Sequence, residues 1–441
     1  MTEIAAKEEE AAAVEIDERT TKQVALGAFV GTALEWYDFF LFTTASAIVF
    51  NVQFFVSDNA LVASLAAFGT LAVGFVARPL GGLIFGAMGD KVGRKKVLMI
   101  TIVGIGAVTG LIGLLPNYFS IGIAAPIILI LLRFAQGLAV GGEWSGAMII
   151  AIENAPLAKR SRYAAVPQLG SPVATILSSG GFFLLALSMS KSDFDSFGWR
   201  IPFLIAIPLL LVSLWIRRKL EESPVFSQVM EHGETESAPI KQVLKTFFPQ
   251  IIVGMATTLL GVGGFYLVTT FVISYGVRVL HLDSKLFLLA TLLAAVVEIP
   301  VLIYAGRLGE KIGASKVAVI GGALTAVLAY PVFMAIESKD PVLVVLAIII
   351  GVSALSIPYA ISGVILTGLF PVHLRYTGVA IAANTAGLVS GFVPLIATAF
   401  LAASGDQIWP AILILVAVAL FTLVAGLLVP RLSIPVKGLK H

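Results

Sequence analysis

The sequence predicts an all-α membrane protein, with twelve transmembrane helices in two pseudo-symmetric six-helix bundles. Three observations carry that expectation. First, hydrophobic residues make up 58% of the 441-residue chain and charged residues only 12%, about half the share found in ordinary soluble domains. Such a chain has too little polar surface for a soluble enzyme and too little polarity for a disordered one. Second, its apolar stretches are continuous, whereas the strands of a membrane barrel alternate apolar and polar positions. Third, the stretches are each close to the ~20 residues an α-helix needs to cross a bilayer.

The elements follow in order. Residues 1–22 are rich in Ala and Glu, with Glu8, Glu9 and Glu10 in a run. They read as a solvated tail and lack the basic-then-apolar order of a secretory leader. Candidate spans lie at 24–50, 60–85, 97–115, 124–150, 163–189 and 201–217, then at 247–276, 285–305, 317–336, 342–368, 377–402 and 408–429. The expected organisation is a tail (1–22), a first bundle (23–218), a polar linker (219–246), a second bundle (247–430) and a short tail (431–441).

Lys and Arg set the orientation. One set of connections holds Lys91, Arg94, Lys95, Lys96, Lys159, Arg160, Arg162, Arg217, Arg218, Lys219, Lys241, Lys245, Arg307, Lys311, Lys316 and Arg375. The opposite set holds only Lys191, Arg200, Arg278, Lys285 and Lys339. The positive-inside rule then puts both termini in the cytoplasm. The chain has no cysteine, which excludes disulfides and thiolate metal sites, and its four histidines are scattered. No metal, cofactor or nucleic-acid partner is expected.

The loop after span 2 carries Gly86, Asp90, Lys91, Gly93 and Arg94, and the loop after span 8 repeats the spacing as Gly306, Glu310, Lys311 and Gly313. Such a repeat points to a duplicated architecture with a binding site between the halves. Gly86 lets helix ends approach, Asp90 suits the N-terminal end of a neighbouring helix, Gly93 permits a tight turn, and Arg94 pairs with acids. This makes Gly86, Asp90, Gly93 and Arg94 a candidate conformational latch, against the plainer reading of a positive-inside anchor.

These segments resemble the major facilitator superfamily. The 86–96 loop is similar to its signature loop, and Arg133-Phe134-Ala135-Gln136-Gly137 to a second signature. Glu35-Trp36-Tyr37-Asp38-Phe39, Arg78-Pro79-Leu80-Gly81-Gly82, Gly141-Gly142-Glu143-Trp144, Gly198-Trp199-Arg200-Ile201-Pro202-Phe203 and Glu221-Glu222-Ser223-Pro224 narrow the resemblance. Together they resemble the metabolite:proton symporters, nearest to the shikimate-permease branch. The second half matches less closely, with Ala314 where a basic residue is usual. The resemblance implies the major facilitator fold, alternating access, a proton as coupling ion, a small organic acid as cargo, a bacterial cytoplasmic membrane and a monomer.

Charges inside spans are read from their cost. A lone Arg at the bilayer centre costs about 2.5–3.5 kcal/mol on insertion scales, so it persists where it faces the bundle interior with a partner. Arg133 lies half-way through span 4, with Gln136 on the same face one turn on. Glu35 and Asp38 lie half-way through span 1, three residues apart and so on one helical face. One reading is a structural ion pair locking spans 1 and 4. The other is a substrate and proton site, in which Arg133 takes a substrate carboxylate and Asp38, losing its partner, takes a proton.

Glu143 is open between proton relay and helix locking, while Glu153 is expected to pair with loop bases. Glu298, just before Pro300, and Tyr37, Tyr266, Tyr359 and Asn384 are candidate substrate contacts, each against a packing alternative. The leading expectation is a proton symporter of a shikimate-like monocarboxylate. A carrier of a zwitterionic osmolyte such as proline or betaine comes second. A proton-coupled antiporter comes third, since Gly170-Ser171-Pro172 resembles the Gly-Pro bend of antiporters with a serine interposed. A non-transporting receptor on the same scaffold would bind without uptake. No Gly-rich phosphate loop supports ATP-driven transport, and no nucleophile–base set points to an enzyme.

Overall fold

A computed structural model describes residues 18–92, 94–141, 148–149, 151–152, 155–218 and 239–434. These residues are helical with short connections, and no strand occurs among them. The first six helices are α1 (Glu18–Ala45), α2 (Ala60–Val92), α3 (Arg94–Leu114), α4 (Ala124–Val140), α5 (Arg160–Gln168 and Gly170–Ser188) and α6 (Arg200–Arg218). The next six are α7 (Phe248–Leu259, continuing through π-helical turns to Val272–Arg278), α8 (Ser284–Ile312), α9 (Ala314–Glu337), α10 (Pro341–Gly368), α11 (Val372–Ala403) and α12 (Trp409–Leu432). Among the described residues, eight helices meet the length and apolarity needed to cross a membrane, and three more apolar helices are shorter. The twelve-helix expectation from hydropathy is therefore met, with α1 marked out by its internal acids.

Local chemistry sets several boundaries. Asp283 caps α8 by accepting from the Lys285 N–H, and Asp340 caps α10 by accepting from Val342 and Leu343. Carboxylates there satisfy orphan donors and complement the helix dipole. Gly313, with φ of 94°, turns α8 into α9, a conformation that glycine adopts without a Cβ penalty.

The structure departs from plain spans at three places. Span 4 does not run straight through 124–150, because α4 ends at Val140 and Gly141 leaves the helical region at ψ of 93°. Span 5 runs from Arg160 to Ser188 with a tightened turn at Leu169, between Pro167 and Pro172. Span 7 contains two π-helical segments, Leu260–Gly264 and Leu267–Phe271. The glycines at 261, 263 and 264 give the first π segment its bare surface, a feature hydropathy does not register.

Glycine also decides how α2 crosses α4. A Cβ on Gly137 would run into the Gly74 carbonyl, and one on Gly141 would sit 2.6 Å from the Gly82 nitrogen. Small residues let membrane helices approach to backbone contact. The two halves meet along α2 with α11 and along α5 with α8. At the first seam Phe75 packs on Gly391, and at the second Gly306 faces Ala165. The α5 start and α8 end are joined by an ion pair, Arg162 Nη2 to Glu310 Oε2 at 2.7 Å.

Candidate functional site

Arg133 of α4 is completely buried. Its position follows from two neighbours. Gly74 on α2 has no Cβ, and one placed there would collide with the Arg133 Nε. The guanidinium then lies over the Phe42 ring at 4.2 Å and the Phe39 ring at 4.8 Å, where ring faces attract a desolvated cation.

Arg133 and Asp38 lie together but make no direct ion pair. Arg133 Nη1 donates to the Gln136 Oε1 at 2.5 Å, and Gln136 Nε2 donates to the Asp38 Oδ1 at 2.5 Å. Thr109 of α3 also donates to Asp38 Oδ1. The direct contact expected between the two charges is replaced by an amide relay, because Gln136, one turn along α4, fits between them. Asp38 Oδ2 and Arg133 Nε and Nη2 have no hydrogen-bond partner. These three atoms are spare capacity in a buried charged network, where unmet groups are costly.

Glu35 does not join this relay. It pairs with Arg78 of α2, whose Nη2 lies 3.2 Å from Glu35 Oε1. Glu35 and Asp38, three residues apart, thus serve different neighbours. The Arg78 guanidinium lies 3.9 Å from the Phe39 ring centroid, so Phe39 faces both arginines.

Tyr266 stands between the two π segments of α7 and is fully buried. Its ring meets Phe75 at 5.9 Å and Phe40 at 6.4 Å, and Phe40 meets Phe265 at 4.9 Å. Tyr359 of α10 packs its ring on Gly261, with Cγ 2.7 Å from where a Cβ would stand. Tyr359 lies within electrostatic range of Glu298, Glu35 and Tyr266. The structure therefore gathers Glu35, Asp38, Arg133, Gln136, Tyr266, Glu298 and Tyr359 in one buried region between the halves.

Two expected contacts make hydrogen bonds of their own. Tyr37 donates its hydroxyl to the Pro202 carbonyl at 2.8 Å, tying α1 to α6. Asn384 donates to the Ala380 carbonyl of its own helix at 2.9 Å. Both bonds are satisfied locally, which favours the packing alternative. Glu143, Glu153 and Gly93 lie outside the described residues, as do the side-chain surroundings of Gly86, Asp90 and Arg94.

Three residues of this region were missed as site candidates from sequence. Arg78 carried the signal that marked Arg133, an arginine inside an apolar span, but stood out only as part of a motif. Gln168 of α5 donates to the Tyr359 carbonyl and to Ser362 Oγ, both at 3.1 Å. An amide in a membrane helix is a faint signal for such a contact. Thr109 gave none, since membrane-helix threonines commonly bond their own backbone, and its Oγ1 also lies 2.8 Å from the Ile105 carbonyl oxygen.

Residues 24–246 match the family described as sugar (and other) transporter, and residues 289–440 match the major facilitator superfamily. The chain is 36% identical to the shikimate transporter of Escherichia coli over 384 residues, covering 86% of this chain and 88% of that protein. It is 33% identical to a putative proline/betaine transporter of Staphylococcus aureus, covering 90% and 85%. Among solved structures, the proton:xylose symporter XylE superposes with a TM-score of 0.73 at 18% identity, covering 95% of this chain and 97% of that one. That likeness establishes the fold. With its helical architecture, the matches across both halves and relatives aligned over nearly their full length, the chain belongs to the major facilitator superfamily, as a multi-pass membrane transporter of the metabolite-carrier branch.

Proposed function

We propose that the protein is a proton-coupled symporter that imports a small organic acid by alternating access, with a shikimate-like monocarboxylate as its cargo. It would act as a monomer in a bacterial cytoplasmic membrane with both termini inside, as the loop charges support. The observation that carries the reading is the Gln136 relay between Arg133 and Asp38. The Nε and Nη2 hydrogens of a guanidinium lie along one edge of its plane, which suits bidentate binding of a carboxylate. On Arg133 both atoms are unpartnered.

A substrate carboxylate on that edge brings a negative charge into a poorly solvated network. Drawing Arg133 toward it loosens the Arg133–Gln136 bond and, through the Gln136 amide, the hold on Asp38. A proton on Asp38 then restores the net charge of the empty site. Empty and fully loaded carriers can cross between inward- and outward-open states, while a carrier with substrate alone holds an uncompensated buried charge and is disfavoured. Coupling arises from a difference in state stability.

Uptake by Asp38→Asn tests this. The expected result is loss of uphill accumulation with exchange of substrate across the membrane retained. Uphill, proton-dependent accumulation by Asp38→Asn overturns the mechanism. A zwitterionic osmolyte is the second reading, supported by the relative described as a putative proline/betaine transporter. Its carboxylate would use the same Arg133 edge.

A further inference from the structure

The second half of the chain places a carboxyl group in the interior without a cation beside it. Glu298 of α8 is 1% exposed. Ser356 and Tyr359 of α10 lie beside its carboxyl group, and among the described residues no lysine or arginine forms an ion pair with it. Its Oε2 has no hydrogen-bond partner.

Four neighbouring groups share that condition: the Tyr359 hydroxyl, the Tyr266 hydroxyl, Trp36 Nε1 and Gln168 Oε1. Trp36 Nε1 and the Tyr359 hydroxyl are neighbours, and neither closes a hydrogen bond. Gln168 spends its amide hydrogens on α10, which leaves its oxygen free. The five groups come from α1, α5, α7, α8 and α10, so several helices converge on them. An unmet buried group is costly, and such groups are normally satisfied. Their concentration in one place is what a bound molecule would relieve.

The chemistry of the set selects the molecule. Trp36 Nε1 can only donate and Gln168 Oε1 can only accept, while the phenols can do either. A hydroxyl both donates and accepts, so a molecule with adjacent hydroxyls can answer every member. A trimethylammonium group accepts nothing and leaves the Trp36 donor unmet. A bare hydrocarbon ring answers none. We infer that Glu298, with Tyr359, Tyr266, Trp36 and Gln168, forms a hydroxyl-recognising subsite, and that Glu298 is the specificity-determining residue selecting polyhydroxylated acids. This rests on the organic-acid reading above and adds a second pole to it. The carboxylate binds on the Arg133 side and the hydroxyls bind toward the second half.

The test uses full-length purified carrier in nanodiscs and three probes: shikimate, which is a trihydroxylated cyclohexene carboxylate, cyclohexene-1-carboxylate without the hydroxyls, and glycine betaine. Wild type should bind shikimate at least ~100-fold more tightly than the deoxy acid, since a site built for hydroxyls rejects an analogue lacking them. Glu298→Ala should bring that ratio to within a few-fold, by weakening shikimate far more than the deoxy acid. Tyr359→Phe should lower it partway and supplies the answer if Glu298→Ala does not fold. Equal binding of both acids by wild type overturns the subsite and leaves the organic-acid reading standing. An undiminished ratio in Glu298→Ala or, should that variant not fold, in Tyr359→Phe also overturns it. Betaine as the tightest ligand, lost on Glu298→Gln, overturns it in favour of an ammonium subsite. Failure of wild type to bind either acid removes the organic-acid reading and this inference together.

Discussion

Gln136 holds Asp38 at 2.5 Å while accepting from Arg133 at the same distance, so a neutral amide carries the communication between the two charges of the first half. An amide fixes direction, since its oxygen must face the guanidinium and its nitrogen the carboxylate. Gln136→Leu should therefore break the relay while keeping the volume roughly constant. Hydrogen bonds to charged groups contribute about 1.5–3 kcal/mol each, so substrate affinity should fall ~10-fold or more and the accumulation ratio should collapse toward unity. Uptake with and without an uncoupler checks this. Gln136→Leu uptake that still responds fully to the uncoupler would contradict it.

The slot at Gly74 gives a second expectation. Gly74→Ala places a Cβ against the Arg133 guanidinium, and overpacking of this kind typically costs about 1–3 kcal/mol. Substrate affinity should drop by roughly one order of magnitude on that scale. Gly69→Ala, one turn and more away on α2 with open space around it, should bind like wild type. The comparison in one binding assay separates displacement of Arg133 from a general effect of alanine on α2.

The buried Glu35–Arg78 pair should be far more sensitive to losing one partner than to losing both. Removing one member of a buried pair typically costs about 3–5 kcal/mol, because the remaining charge loses that counter-charge. Glu35→Gln and Arg78→Gln should each lower the melting temperature in detergent, and the double variant should recover part of the loss. Melting curves of the three proteins check this, with full additivity as the contrary outcome.

The Arg162–Glu310 pair joins the halves at the α5 start and the α8 end. Arg162 is about half exposed, so its contribution is of order 1 kcal/mol or less. Glu310→Gln should shift the balance between carrier states a few-fold toward opening at that end. The chain contains no cysteine, so a single cysteine introduced near this seam can be labelled without a background. Faster labelling in Glu310→Gln is expected, and an unchanged rate would show that the pair does not hold the seam.

The helices were legible in the sequence because a bilayer imposes a single requirement, continuous apolarity over a fixed length. The buried charges were legible for a related reason, since Asp38, Arg133 and Glu298 are expensive wherever they sit in an apolar span. Partnership was not legible. Nothing local says that Gln136 rather than Asp38 would meet Arg133, or that Glu35 would turn to Arg78, because these depend on how α1, α2 and α4 rotate against one another. Tyr37 and Asn384 show the converse. A polar side chain in a span has a local solution, a carbonyl of its own or an adjacent helix, that composition cannot distinguish from a ligand. The π segments flanking Tyr266 were hidden because hydropathy is indifferent to whether a turn holds one more residue.

Phe39 presents its ring to Arg78 at 3.9 Å and to Arg133 at 4.8 Å. Carboxylates that balance these cations can be silenced by a proton. The electron-rich face of a benzene ring cannot, since it has no acid–base equilibrium. Part of the electrical support for the two arginines is therefore indifferent to acidity, and in the proposed cycle it stays in place while Asp38 exchanges its proton. If the carrier discharges one acid in every cycle, as proposed above, this phenylalanine gives its cations a ballast that does not titrate.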